Sequence, residues 1–315
     1  MYMQQSQNTP RIVPCLWFDS QAEEAVGFYT AIFEEAKKGT VTRYGKAGQE
    51  IHGRPEGSVM TISFELAGLP FTALNGGPHF KFSPAISFMV SCKTEKQLDD
   101  LWSMLLWGTG RDSVLMPLQE YPFSKRYGWI QDRFGISWQL MLREDQDTSQ
   151  EIVPCFLFVG MQAGKAEEAV RFYTSIFDKA SIEELYHYEA GEEPNREGYV
   201  KFASFAIEGQ VFSAMDSSLE HDFTFNEAIS FEVRCENQEE LDHYWQKLSF
   251  VPEAEQCGWL KDKFGISWQI TPRAMEEFLN DPDPERSFRV MEAMLKMKKI
   301  DIKGLREAYE QVQTG

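Results

Sequence analysis

No apolar run in the 315 residues reaches the roughly 18 that a membrane-crossing helix needs. The stretch from Met1 to Pro10 is polar and lacks the basic start and apolar middle of a secretory signal, so a cytoplasmic location is expected. Positive charge is in deficit: 31 Lys and Arg stand against 49 Asp and Glu, a formal net charge of -18. Such a body is repelled by nucleic acid and by anionic lipid, which argues against both as partners. Histidine and cysteine are scarce, 5 of each, and no closely spaced Cys/His set of the zinc kind occurs. The cysteines are odd in number. Four of them, Cys15, Cys92, Cys155 and Cys235, sit in apolar runs at equivalent places, which reads as buried reduced thiols rather than a disulfide framework. No strand leads through a glycine-rich loop into a helix, the arrangement of a nucleotide-type cofactor fold, and no cofactor is expected.

What the chain does have is a folded composition, 43% hydrophobic and 14% aromatic, at a length that suits two domains. It also has a repeat. Tyr127-Gly-Trp-Ile-Gln-Asp-Arg-Phe-Gly-Ile-Ser-Trp-Gln139 returns as Cys257-Gly-Trp-Leu-Lys-Asp-Lys-Phe-Gly-Ile-Ser-Trp-Gln269. Each copy reads as two extended runs joined by an Asp-Lys/Arg-Phe-Gly turn, a terminal β-hairpin.

Taken in order, Ile12 to Phe18 reads as a strand and Ser20 to Glu23 as a capping box. The helix that follows carries Ala22, Ala25, Val26, Tyr29, Ile32 and Phe33 on one face. Extended runs follow over Gly39 to Tyr44, Val59 to Leu66 and Leu69 to Leu74. The same strand, helix and strands begin again at Ala85, with Thr94 capping a helix and a loop expected from Trp107 to Ser124. Ile152-Val-Pro-Cys155 then answers Ile12-Val-Pro-Cys15, and the whole order repeats. The expected fold is therefore α+β, four βαβββ modules in two tandem domains. The first covers residues 1–142, a polar linker 143–151, the second domain 152–271, and a helical tail 272–315. In the tail, Thr271-Pro272, Asp283-Pro284 and Asp301 read as helix starts, and a Met-rich face reads as packing or an interchain contact.

The phrases Pro14-Cys-Leu-Trp-Phe-Asp19, Ala22-Glu-Glu-Ala25, Phe28-Tyr29, Ala73-Leu-Asn-Gly-Gly-Pro78, Ala85-Ile-Ser-Phe88 and the repeated closing phrase resemble the vicinal oxygen chelate superfamily. Within it they resemble the PhnB-like group, often labelled demethylubiquinone methyltransferase-like. The resemblance implies a cup of curled sheet for each pair of modules, with helices outside. It implies glyoxalase-like and dioxygenase-like relatives that hold a divalent metal near the start of the first strand and late in the last strand of each module. Counted through the repeats, those places fall at Pro14, Thr72, Ala85 and Gln139, and at Pro154, Ser213, Ala228 and Gln269. Pro and Ala offer no donor, so no metal site is expected.

Period-two alternation from those places gives the first cup Pro14, Leu16, Phe18, Thr72, Leu74, Ala85, Ser87, Ser137 and Gln139, and the second Ser213, Met215, Ser230, Glu232 and Gln269. Leu16, Thr72, Leu74, Ser87, Gln139, Ser213, Met215, Ser230, Glu232 and Gln269 are the ligand-contact candidates. Walls of this kind suit a small molecule whose identity the residues do not give. Three classes of function fit: a metal-independent small-molecule binding protein; an enzyme, glyoxalase-like or dioxygenase-like or a metal-free isomerase or lyase; and a scaffold. A monomer that is a tandem pseudo-dimer and a homodimer both fit the repeat.

Overall fold

The structure, a computed structural model, describes residues 10–143 and 150–311; of the expected linker, residues 144–149 lie outside the described residues. Four modules follow one another. The first contains β1 (Ile12–Phe18), α1 (Ala22–Ile32), β2 (Lys37–Arg43), the single turn α2 (Gln49–His52), β3 (Val59–Leu66) and β4 (Leu69–Asn75). The second contains β5 (Ile86–Cys92), α3 (Glu95–Leu106), β6 (Val114–Tyr121), β7 (Ser124–Gln131) and β8 (Ser137–Leu142). The third contains β9 (Ile152–Phe158), α4 (Ala166–Ile176), β10 (Ser181–His187), β11 (Val200–Ile207) and β12 (Gln210–Asp216). The fourth contains β13 (Ile229–Cys235), α5 (Gln238–Leu248), β14 (Trp259–Lys261) and β15 (Ser267–Pro272). The tail holds α6 (Met275–Leu279), α7 (Pro284–Leu295) and α8 (Ile302–Glu310).

The fold class is the expected α+β, but the modules do not close cups with their sequence neighbours. One sheet runs β14-β15-β13-β1-β4-β3-β2 and the other β10-β11-β12-β9-β5-β8-β7-β6. Module 1 thus joins module 4 through antiparallel β1 and β13, with Cys15 opposite Ser230. Module 2 joins module 3 through β5 and β9, with Ser87 opposite Cys155. The expectation that residues 1–142 would close one cup and 152–271 the other is corrected on this point.

Each half of the sequence nevertheless shares a core. Phe71 meets Phe88 at 5.2 Å between ring centroids, and Trp138 meets Tyr29 at 5.5 Å and Phe33 at 5.1 Å. In the second half Trp268 meets Tyr173 at 5.5 Å and Phe231 at 5.6 Å. Helix-side faces of modules 1 and 2 bury one another, and so do those of 3 and 4, while the sheets stitch the halves together.

The repeated phrase is the lock of these cores. The carboxylate of Asp132 accepts from the Tyr29 hydroxyl at 2.6 Å, the Trp138 indole at 2.9 Å, and the backbone N–H groups of Phe134 and Ile136 at 2.8 and 3.0 Å. Asp262 repeats the set with Tyr173, Trp268, Phe264 and Ile266 at 2.7, 2.9, 2.9 and 3.0 Å. Both aspartates are buried, and burial pushes their carboxyls up while the donors work against it. Gly135 and Gly265, each at φ +92, make the turn that lets one carboxylate reach two backbone donors. Arg133 and Lys263 lie over Phe28 and Phe172 at 4.7 and 4.6 Å, clamping the hairpin to α1 and α4.

Local expectations are corrected at several points. α1 starts without a capping box: Asn75 Oδ1 from β4 accepts the Ala22 N–H at 2.9 Å, a cap supplied from 53 residues away. Asp216 caps α4 in the same way, accepting from Gly164 and Ala166. The expected loop from Trp107 to Ser124 contains strand β6, an exposed edge whose apolar residues alternate too weakly to announce it. Thr271-Pro272 ends β15 and does not start a helix. Asp283 and Asp301 do cap α7 and α8.

Module 4 lacks the counterpart of β6, and the tail takes its edge. The N–H groups of Cys257 and Gly258 donate to the carbonyls of Met297 and Lys298 at 2.9 and 2.8 Å. Leu295 reaches the other end of the same sheet, where a Cβ on Gly48 would meet its Cδ1 at 2.4 Å. Val290, Ile300 and Leu305 are fully buried, so the tail is part of the body and spans the two edges of the module 1 and module 4 sheet.

Candidate functional site

Alternation fixes which side chains face each concave surface. On β1, Ile12, Leu16 and Phe18 belong to the core under the helices, which leaves Val13, Cys15 and Trp17 for the concave side. The expectations for Leu16, Pro14 and Phe18 are therefore corrected: Leu16 is buried in the core, paired with the core residues Ala73 and Ile229. Counting through the repeats placed the strand one residue out of phase, and one residue inverts every side chain. The first-strand donor place is occupied by Cys15, and by Cys155 in the other cup, rather than by Pro14 and Pro154.

The remaining candidates lie on concave faces but divide between cups differently from the expectation. Thr72, Leu74, Ser230, Glu232 and Gln269 share the cup of modules 1 and 4; Ser87, Gln139, Ser213 and Met215 share that of modules 2 and 3. Five contributors were missed. Arg234 and Thr271 lie opposite each other on β13 and β15, Trp259 lies opposite Gln269, and Cys15 and Trp17 come from β1. The alternation of Val13, Cys15 and Trp17 against Ile12, Leu16 and Phe18 carries no polarity contrast, so only the paired strands settle its phase.

In the cup of modules 1 and 4 the polar groups form two hydrogen-bonded sets side by side. Gln269 Nε2 donates to Ser230 Oγ at 2.9 Å, and the Cys15 thiol lies opposite Ser230 in the β1 and β13 pairing. Burial pushes that thiol up to about 12, with the neighbouring Gln269 amide working against it. Beside it, Glu232 accepts from Thr271 Oγ1 at 2.8 Å and from Arg234 Nε at 3.0 Å. Lys261 is paired with Glu227 at 2.7 Å. Trp17 and Trp259, from opposite walls, meet edge to face at 5.8 Å, and Phe80 packs on Trp17 at 5.0 Å. Gly76 is small because that indole fills its space: a Cβ there would sit 2.2 Å from Trp17. The indole N–H donates to Gly77 O at 2.8 Å, so the Asn75-Gly-Gly-Pro78 turn seats a tryptophan.

The cup of modules 2 and 3 has the same centre with different neighbours. Gln139 Nε2 donates to Ser87 Oγ at 2.8 Å, its Oε1 accepts from the Tyr127 hydroxyl at 2.6 Å, and Cys155 is pushed up to about 12 by burial. Met89 and Met141 stand where the other cup has Glu232 and Thr271, each in the same pairing with β8 or β5. Of the histidines near the module junctions, His79 lies 6.4 Å from Trp17 by ring centroids, and His221 bonds Ser217 at 2.8 Å.

The sequence model of one family, described as 3-demethylubiquinone-9 3-methyltransferase, matches residues 10–141 and again residues 150–271. The chain belongs to that family. It is the group that the sequence phrases resemble, and each matched segment is one pair of modules sharing a core. No curated protein matches the chain. Among solved structures it is similar to the PhnB protein of Bacillus cereus, at 37% identity over 42% of this chain and 98% of that one, with a TM-score of 0.36. A protein from Staphylococcus aureus is 31% identical over 43% of this chain and 98% of that one, with a TM-score of 0.18. A mutant of glyoxalase I from Zea mays is 11% identical over 82% of this chain and 91% of that one, with a TM-score of 0.49.

Glyoxalase-like folds imply a divalent metal in the cup, and the donors present do not fit one. The concave face of modules 1 and 4 offers a thiol held protonated, an amide, hydroxyls and one carboxylate whose two oxygens are engaged by Thr271 and Arg234. Among the described residues, no group of three or more His, Cys, Asp and Glu side chains comes together as a metal-binding cluster.

Proposed function

We propose that this member of the family is a small-molecule binding protein that works without a divalent metal. The observation that carries the reading is the concave group of Cys15, Ser230, Gln269, Thr271, Glu232 and Arg234. Its polar groups are ordered by one another, its charges are paired, and it lies beside the indoles of Trp17 and Trp259. Ordered neutral donors and acceptors on an aromatic wall orient a ligand at small reorganisation cost, whereas a protonated thiol and an engaged carboxylate supply neither a nucleophile nor metal donors.

Elemental analysis and a thermal-shift screen test this together. Protein purified without chelator is expected to carry less than about one-tenth equivalent of Zn, Ni, Mn or Fe. A hit from a small-molecule library, present at a hundred times its dissociation constant, is expected to stabilise by about 2.7 kcal/mol. Stoichiometric metal that survives dialysis and is lost with Gln269→Leu contradicts the metal-free reading. A library that stabilises nothing contradicts binding.

A further inference from the structure

We propose that the two cups are unequal, and that only the cup of modules 1 and 4 takes a ligand: a neutral aromatic molecule carrying an N–H or O–H donor. The inference rests on the binding reading above. It comes from one difference inside the repeated phrase, which begins with Tyr127 in one copy and Cys257 in the other.

In the cup of modules 2 and 3, the Tyr127 hydroxyl occupies Gln139 Oε1 at 2.6 Å while Ser87 takes Nε2, so the amide is satisfied at both ends. Gln139 is 1% exposed, and Tyr127 is packed by Tyr121 and Phe123 at 5.6 and 5.0 Å between centroids. That centre is closed by its own protein. In the other cup Cys257 has no hydroxyl to give, and its sulfur is engaged by Gln256. Gln269 keeps its bond to Ser230 but is only half-buried, and among the described residues its Oε1 accepts no hydrogen bond. A carbonyl acceptor at the centre of a cup, ordered through its own nitrogen and lacking a donor, is where a ligand donor gains most.

The neighbours set the class. Trp259 lies directly opposite Gln269 in the β14 and β15 pairing, and Trp17 meets it across the cup, so the donor enters along an aromatic wall. Glu232, Arg234 and Lys261 are charged, but each is already paired, so none of the three offers an ionic ligand an unmatched charge. A cation or anion entering here loses hydration without gaining a partner, and a neutral molecule does not.

Benzamide, a neutral aromatic primary amide, is the probe. It is titrated calorimetrically into the full-length protein and located crystallographically at saturation. One molecule per chain is expected, with its amide nitrogen within hydrogen-bond distance of Gln269 Oε1 and its ring against Trp259. Gln269→Leu is expected to weaken binding at least about tenfold, and Tyr127→Ala to raise the stoichiometry from one to two. Occupancy of both cups in the unaltered protein, or of the cup of modules 2 and 3 alone, overturns the proposal. So does binding that is indifferent to Gln269→Leu in a variant that melts as the unaltered protein does. If benzamide enters neither cup while charged library members stabilise the protein, the inference fails and the binding reading stands; if nothing binds, both fail. The occupancy of the unaltered protein decides even where a variant does not fold.

Discussion

The hydroxyl of Tyr29 in the first helix donates to the carboxylate of Asp132 at 2.6 Å across 103 residues of sequence, and both groups are buried. Tyr173 and Asp262 repeat the bond at 2.7 Å across 89 residues. This pair of locks explains why the Asp-Arg/Lys-Phe-Gly-Ile-Ser-Trp phrase occurs twice: it fastens the second module of each half to the first helix of that half. Its aspartate, isoleucine and tryptophan serve the helix side of the sheet, while the serine and the glutamine that flank that tryptophan face the cup.

Tyr29→Phe removes one donor from a buried carboxylate and leaves the shape unchanged. The expected cost is about 1.5 to 3 kcal/mol by urea denaturation, with the same for Tyr173→Phe. Asp132→Asn turns one acceptor oxygen into a donor that faces either Tyr29 and Trp138 or the backbone N–H groups of Phe134 and Ile136, and is expected to cost more, about 3 to 5 kcal/mol. Losses under about 0.5 kcal/mol in both tyrosine variants contradict the lock.

The thiols predict a pH dependence. Cys15, Cys92 and Cys155 are pushed from the ordinary 9.0 to about 12 by burial. A raised folded value means the unfolded chain gives up these protons first as pH rises. The stabilisation is thus fully present below 9.0 and is lost as pH climbs towards 12. Near pH 10 the expected loss is roughly 1.4 kcal/mol per thiol, and Cys15→Ala and Cys155→Ala each remove one such increment from the slope. At about pH 8 iodoacetamide is expected to leave Cys15 and Cys155 unlabelled in the native protein and to label both in denaturant. Rapid native labelling contradicts the burial of these thiols.

Gly258 tests the tail. Its φ is +88, and a Cβ there would meet Ile270 O at 2.9 Å and Ile300 at 3.2 Å. Gly258→Ala is expected to cost about 2 to 4 kcal/mol, combining left-handed strain with displacement of a buried tail residue. Limited proteolysis of that variant is expected to cut first between α7 and α8. Unchanged stability contradicts the placement of the tail along β14.

The sequence carried the module order because each βαβββ unit announces itself through strand alternation, helix periodicity and the turn at Gly68 or Gly135. It carried most concave residues for the same reason: Thr72, Gln139, Ser213 and Gln269 sit on strands whose two faces differ in polarity. It failed at Leu16, where both faces of β1 are apolar and only the register with β4 and β13 sets the phase. It failed on which modules share a cup, because β1, β5, β9 and β13 present similar edges and the choice among them is made by long-range packing. Cys15, Arg234 and Thr271 entered the site only with that pairing. Tyr127 and Cys257 open the two copies of the repeated phrase, but that the Tyr127 hydroxyl reaches Gln139 follows only from the β7 and β8 pairing.

The pairing of modules across the halves is the claim on which the site rests, since it brings Cys15 beside Ser230 and Gln269. Disulfide mapping tests it directly. In S230C, mild oxidation is expected to join Cys15 to the new thiol at position 230, and in S87C to join Cys155 to the new thiol at position 87, as read by peptide mass spectrometry of non-reduced monomer. A link between Cys15 and position 87, or between Cys155 and position 230, contradicts it, because those are the bonds formed if each half of the sequence closed its own cup.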